Sequence, residues 1–236
     1  MSGRLIQSLV LSAACLLAGV AFAQSVPASQ DMAARVAACT TCHGREGRAT
    51  NSEYFPRLAG KPAGYLFEQL RNFRDGRRQQ TYMNGLLANM SDAYLRDIAE
   101  YFASLDYPYP PPPASSMPSQ QLARGKTLVF SGDPARDIPA CASCHGEALT
   151  GALPSVPSLL GLPRIYVAAQ LGAWVTGQRR AIAPDCMAEV GRKLNSEDIQ
   201  AVVAWLEIQP VPMDNKPVVA LPAKPTMPCS AMETHP

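Results

Sequence analysis

Histidine is scarce in this chain of 236 residues: there are only three, His43, His145 and His235. That scarcity leaves a tetrahedral zinc site short of ligands, for want of further Cys/His pairs. A surplus of one charge is also lacking, with 21 Lys and Arg against 19 Asp and Glu. No basic run is dense enough to track a nucleic-acid backbone, so nucleic acid is not expected as a partner. Strict apolar–polar alternation is missing too, which argues against strands.

Long apolar runs are confined to the amino terminus, where Arg4 precedes the stretch Leu5 to Val20 and Ala21-Phe22-Ala23 ends it. That stretch falls below the ~18 residues of a spanning helix and closes on a small-x-small cleavage pattern, so residues 1–23 read as a secretory signal peptide. An uncleaved anchor is the minor alternative, and Cys15 reads as a small apolar residue lost with the signal. The expected location is the periplasm, with membrane association only peripheral and through partners. Without Arg4 the balance is twenty basic against nineteen acidic side chains.

What the chain does have is Cys39-Thr40-Thr41-Cys42-His43 and, about a hundred residues on, Cys141-Ala142-Ser143-Cys144-His145. Two thiols two residues apart reach the two vinyl groups of one porphyrin, and the adjacent imidazole falls beneath the iron. The pattern therefore predicts two covalently bound haem c groups, held by Cys39, Cys42 and His43 and by Cys141, Cys144 and His145. A thioredoxin-like dithiol would want a βαβ context that the sequence does not offer.

The repeat extends well past the cysteines. Pro56-x-Leu58-x-Gly60-x-Pro62 returns as Pro157-x-Leu159-x-Gly161-x-Pro163, and Tyr65, Gln69 and Leu70 return as Tyr166, Gln170 and Leu171. Gly76-Arg77-Arg78 becomes Gly177-Gln178-Arg179, and Met83 and Tyr101 pair with Met187 and Trp205. Helical spacing recurs in both halves: Leu66, Leu70 and Phe73 after Pro62, and Leu95, Ile98, Ala99 and Phe102 after Ser91-Asp92. Val167, Leu171 and Trp174 match the first set, while Ile199, Val202, Val203 and Leu206 follow Asn195-Ser196-Glu197-Asp198. Further short helices are expected around 29–38 and 119–130, with a surface loop over 131–139. The fold class is all-α: two tandem helical domains, at 24–106 and 119–209. Tyr107-Pro108-Tyr109 and the four prolines that follow make a stiff extended linker over 107–118. Residues 210–236 form a Pro-rich tail that wraps a surface or hangs loose.

Three histidines cannot ligate both irons twice over, so thioether sulfur is the expected sixth ligand. Met83 and Met187 occupy matching positions and are the iron ligands this reading selects, opposite His43 and His145. Met90 competes, but its counterpart is Leu194, which places it in a core. The carbonyls of Pro56 and Pro157 are expected to accept the histidine Nδ1–H bonds. Tyr65, Tyr166, Arg77, Arg78, Arg179 and Arg180 are candidate propionate donors. Cys186 and Cys229 either join as a disulfide, stay free, or leave Cys186 as a thiolate ligand to the second iron; spacing decides none of these.

These residues resemble the dihaem cytochrome c4 family, which implies that the two helical domains are tandem class I cytochrome c domains. The likeness rests on Cys-x-x-Cys-His-Gly with Phe55-Pro56-x-Leu58-Ala59-Gly60-Lys61, Tyr65-Leu66-x-x-Gln69-Leu70, Tyr82-Met83 and Ala99-Glu100-Tyr101-Phe102. In the second half it rests on Ile138-Pro139-Ala140 before the motif, Pro157-Ser158-Leu159-Leu160-Gly161, and Lys193-Leu194-x-x-Glu197-Asp198-Ile199. The resemblance covers about 30–208 and implies His/Met ligation twice, with haem propionate edges facing across the domains. It further implies a non-enzymatic periplasmic carrier passing single electrons from a respiratory donor to a terminal oxidase or other acceptor. The expected partners are redox proteins: a membrane-bound oxidase, a quinol-oxidising complex or a dehydrogenase. A dedicated cytochrome subunit of a dehydrogenase or thiosulfate-oxidising complex is the alternative, and a haem peroxidase a more distant one. The polyproline linker, the tail and the Cys186/Cys229 pair lie outside the resemblance.

Overall fold

The computed structural model describes residues 28–49 and 54–232, so the signal-peptide reading and His235 lie outside the described residues. Ten α-helices fall into two sets of five, and the described residues contain only isolated bridges in place of strands. The first set is α1 (Ala28–Arg35), α2 (Ala37–His43), α3 (Ala63–Arg74), α4 (Thr81–Leu87) and α5 (Asp92–Ser104). The second is α6 (Ser119–Phe130), α7 (Ala142–His145), α8 (Arg164–Val175), α9 (Cys186–Lys193) and α10 (Ser196–Glu207). The expected helix over 29–38 is in fact two pieces divided at Val36, which is buried at the break.

Helix starts follow their local chemistry. Proline residues 62 and 163 stand just before α3 and α8, where a missing amide proton costs nothing. Ser91 Oγ accepts from Tyr94 N ahead of α5, and Asn195 and Asp198 form a reciprocal capping box ahead of α10. Asp198 is buried and also takes Arg124 and Arg136, which ties α6 and the 131–139 loop to α10. Its carboxyl, which burial alone would raise, is held below the usual range by those guanidiniums. That loop is less superficial than expected, for Asp133 and Ile138 bridge its two ends and Ile138 is buried.

Each set closes around its own core. In the first lobe Leu95, Ile98, Ala99 and Phe102 on α5 meet Leu66, Phe67 and Phe73 on α3. In the second, Val202, Val203 and Leu206 on α10 meet Leu128 and Val129 on α6 and Val167 and Leu171 on α8. Each large apolar side chain so buried contributes roughly 1.5–3 kcal/mol. None of the described helices is long and apolar enough to cross a membrane.

The linker is docked where it leaves the first lobe. Buried Arg57 donates to the carbonyls of Tyr107 and Pro108 and lies 3.9 Å from the Tyr109 ring centroid. Tyr109 also meets Gly161, where a Cβ would come within 2.3 Å of the ring. One tyrosine thus touches both an arginine of the first lobe and a turn of the second. The tail wraps the second lobe, as one of the two expectations had it: Val218 exchanges backbone bonds with Gly151 and Leu153, and Cys229 is joined to Cys186.

Candidate functional site

The two Cys-x-x-Cys-His segments are single helical turns that end on a buried histidine. Gly44 and Gly146 follow with φ of 78° and 80°, a conformation that turns the chain back at once. The return brings Pro56 O to 2.8 Å from His43 Nδ1 and Pro157 O to 2.8 Å from His145 Nδ1. A carbonyl can only accept, so Nδ1 donates and the lone pair is left on Nε2, the atom that would meet iron. Burial pushes both imidazoles below their ordinary pKa and keeps them neutral, the ligating form. Burial raises the Cys39 and Cys144 thiols and pushes Cys141 up to about 11, away from the lowered range of a redox-active thiol.

Cys39 and Met83 pack against the same first-lobe core, as Cys141 and Met187 do against the second. In the second lobe a cavity of about 1290 Å³, part of it open to solvent, is lined by Cys144, His145, Pro157 and Met187. Histidine and methionine of one lobe therefore share one largely apolar chamber. Met90 packs on the first core as its counterpart Leu194 does on the second.

Met83 and Met187 each sit in the first turn of a short helix, α4 and α9. Gln80 Oε1 accepts from Met83 N at 2.7 Å ahead of α4, and Asp185 Oδ1 accepts from Ala188 N at 3.1 Å ahead of α9. Aspartate is a common cap residue and glutamine a rare one. The adjacent Cys186 sulfur is bonded to Cys229 across 43 residues, so it is not available as a thiolate ligand. Closing a loop of that length constrains the unfolded chain by about 4 kcal/mol. Cys229→Ser should lower the unfolding free energy of the second lobe by a few kcal/mol in denaturant titrations while leaving the spectrum of the bound cofactor unchanged. An altered spectrum would mean that the tail helps set ligation.

Repeat-related residues pair with one another where the lobes meet. Arg78 and Arg179 form an antiparallel bridge, flanked by Gln79 N to Gln178 O and Arg180 N to Arg77 O, each 2.8 Å. Arg78 reaches across to Tyr166 Oη at 3.2 Å and Gln170 Oε1 at 2.6 Å. Arg179 returns the contact to Tyr65 Oη at 3.3 Å and Gln69 Oε1 at 2.9 Å. Such reciprocity marks a local two-fold axis. Of the candidate propionate donors, Arg78, Arg179, Tyr65 and Tyr166 gather here, whereas the Arg77 side chain turns to Asn72 and Asp75.

Both guanidiniums are buried, 8% and 5% exposed, and their hydrogen-bond acceptors are neutral. A buried cation without a counter-charge is costly. Burial alone would raise the Tyr65 phenol, but Arg179, Arg78 and Lys61 outweigh it and bring it down to about 8. A porphyrin with two carboxylates fits this arrangement: its apolar plane suits the chamber and its acids suit the cations.

Comparison with known proteins gives the same picture. A family model described as "Cytochrome c" matches residues 122–208. Cytochrome c4 of Pseudomonas aeruginosa is 36% identical over 177 residues, covering 74% of this chain and 85% of that protein. A thiosulfate dehydrogenase electron acceptor of Thiomonas intermedia is 36% identical over 176 residues, 74% of this chain and 80% of that one. The crystal structure of reduced recombinant cytochrome c4 from Pseudomonas stutzeri superposes with a TM-score of 0.66 at 30% identity, over 76% of this chain and 97% of that one.

Proposed function

Since the chain belongs to the dihaem cytochrome c4 family, we propose that it is a periplasmic carrier of single electrons. It would run between a respiratory donor and a terminal oxidase or other acceptor, with no catalysis of its own. The observation that carries this reading is the doubled, two-fold-related site: a proline-anchored histidine and a matched methionine in each lobe, joined through Arg78 and Arg179.

Cys39, Cys42, His43 and Met83 would hold one haem c, and Cys141, Cys144, His145 and Met187 the other. Bound haem supplies a one-electron iron couple, and methionine sulfur favours its ferrous side. The protein's own part is fixed geometry. Carbonyls orient the imidazoles, both cores exclude water, and the buried arginines would meet the carboxylates. With His43 and Met83, or His145 and Met187, both holding the iron, no place on it would be left for a substrate, which is why the reading is a carrier. Near Met83, helix α4 exposes Tyr82 and Leu86, an apolar rim on which a redox partner can dock.

The similarity to a thiosulfate dehydrogenase electron acceptor favours a second reading, in which the donor is a dehydrogenase rather than a quinol-oxidising complex. Rapid mixing of the oxidised holoprotein with each reduced donor decides between them. Reduction of both haems within the donor's turnover time identifies the partner. Material with fewer than two covalent haems, or reduced by neither class, overturns the carrier assignment.

A further inference from the structure

Two of the positions at which the halves differ each add a donor to the same cavity. Lys61 stands where the second half has Leu162, and Trp174 stands where the first half has Phe73. Lys61 belongs to the first lobe, yet it lines the second-lobe cavity together with Cys144, His145 and Met187. None of Cys39, Cys42, His43 and Met83 lines that cavity, so it belongs to the second lobe's site.

Lys61 Nζ and Trp174 Nε1 are both buried and neither has a hydrogen-bond partner. An unpaired buried donor costs about 1–3 kcal/mol, and an ammonium more. Two acids line the cavity: the carboxylate of Glu68 is taken by Arg71 at 3.2 Å, and that of Asp185 accepts from Ala181 N and Ala188 N. The remaining charges nearby, Arg78 and Arg179, repel the ammonium. What satisfies these two donors must therefore enter the cavity carrying negative acceptors.

We propose that Lys61, reaching across from the first lobe, and Trp174 hold the carboxylate side chains of the second haem, so that this site is completed only when the lobes are docked. The inference rests on the dihaem reading above and deepens it. A fixed cation beside one iron and not its counterpart stabilises the ferrous state of that iron alone, since reduction removes a positive charge. The two-fold axis gives the haems equal shares of Arg78 and Arg179, while Lys61 and Trp174 distinguish them.

The test is an optical redox titration of the holoprotein, with the second haem's wave identified as the one displaced in Met187→Ala. Lys61→Met keeps the volume and removes the charge; it should shift the oxidised-to-reduced ratio of that wave about tenfold, 59 mV downward for one electron. The first haem's wave should stay in place, and Lys61→Arg should restore the second. Trp174→Phe, which installs the residue the first lobe already accommodates, should move the same wave in the same direction and tests the idea even if Lys61→Met fails to fold. Two normal waves that stay put, or that move together, overturn this proposal and leave the carrier reading intact. Absence of two reversible waves in the unaltered protein would sink the carrier reading instead.

Discussion

Met187→Ala removes one half of the weak red-end absorbance of the oxidised protein that marks methionine–iron bonds, and Met83→Ala removes the other half. The reasoning begins with ligand supply. Two of the three histidines are proximal, and His235 is one residue from the chain's end. Met187 shares its chamber with His145, and Asp185 and the Cys186–Cys229 bond fix the start of its helix. Truncation to alanine takes away the sulfur without disturbing those supports, so the loss is local to one iron. The affected haem also becomes harder to reduce, because the soft ligand that favours ferrous iron has gone. The visible spectrum and a redox titration read both effects. Full retention of the band in Met187→Ala would hand the role to Met227 or Met232, which line the same chamber.

Gly125→Val unfolds the second lobe and leaves the first standing. Gly125 lies in α6 where it crosses α10, and a Cβ there would sit 2.1 Å from Ala201 O and 2.8 Å from Trp205 Cβ. The nearest obstacle is backbone in the middle of a helix, which cannot rotate aside as a side chain can. Relief requires the α6–α10 crossing to open, and that crossing buries Leu128, Val129, Val202 and Val203. Overpacking costs about 1–3 kcal/mol where side chains can shift; against backbone the expected loss is at the top of that range or beyond. Thermal unfolding followed by the two haem spectra should show the second-lobe transition fall well below the first. An unchanged second transition would mean that the two helices do not cross so closely.

Much of this was legible because both the motifs and the helices are local. Cys-x-x-Cys-His fixes thiol and imidazole within one turn. Ser91, Asn195 and the prolines at 62 and 163 mark helix starts through their own side chains. The helices carrying Met83 and Met187 were not legible, since each is barely two turns long and is held by tertiary contacts. The Cys186–Cys229 bond was undecided for the same reason: bridging depends on a separation between Cα atoms, 5.0 Å in the structure, which residue spacing along a coiling tail does not determine.

The linear chain alone determined the cofactor type, the helical class, the duplication and the two matched methionines, because each depends on residues a few positions apart or on comparing one half with the other. Only the folded molecule decided which arginines face each other across the lobes, that Tyr109 of the linker touches both lobes, and that Lys61 lines the neighbouring lobe's cavity. Those outcomes depend on how two independently closed cores dock, and docking is set by surfaces assembled from residues about a hundred positions apart, a distance over which no local propensity acts.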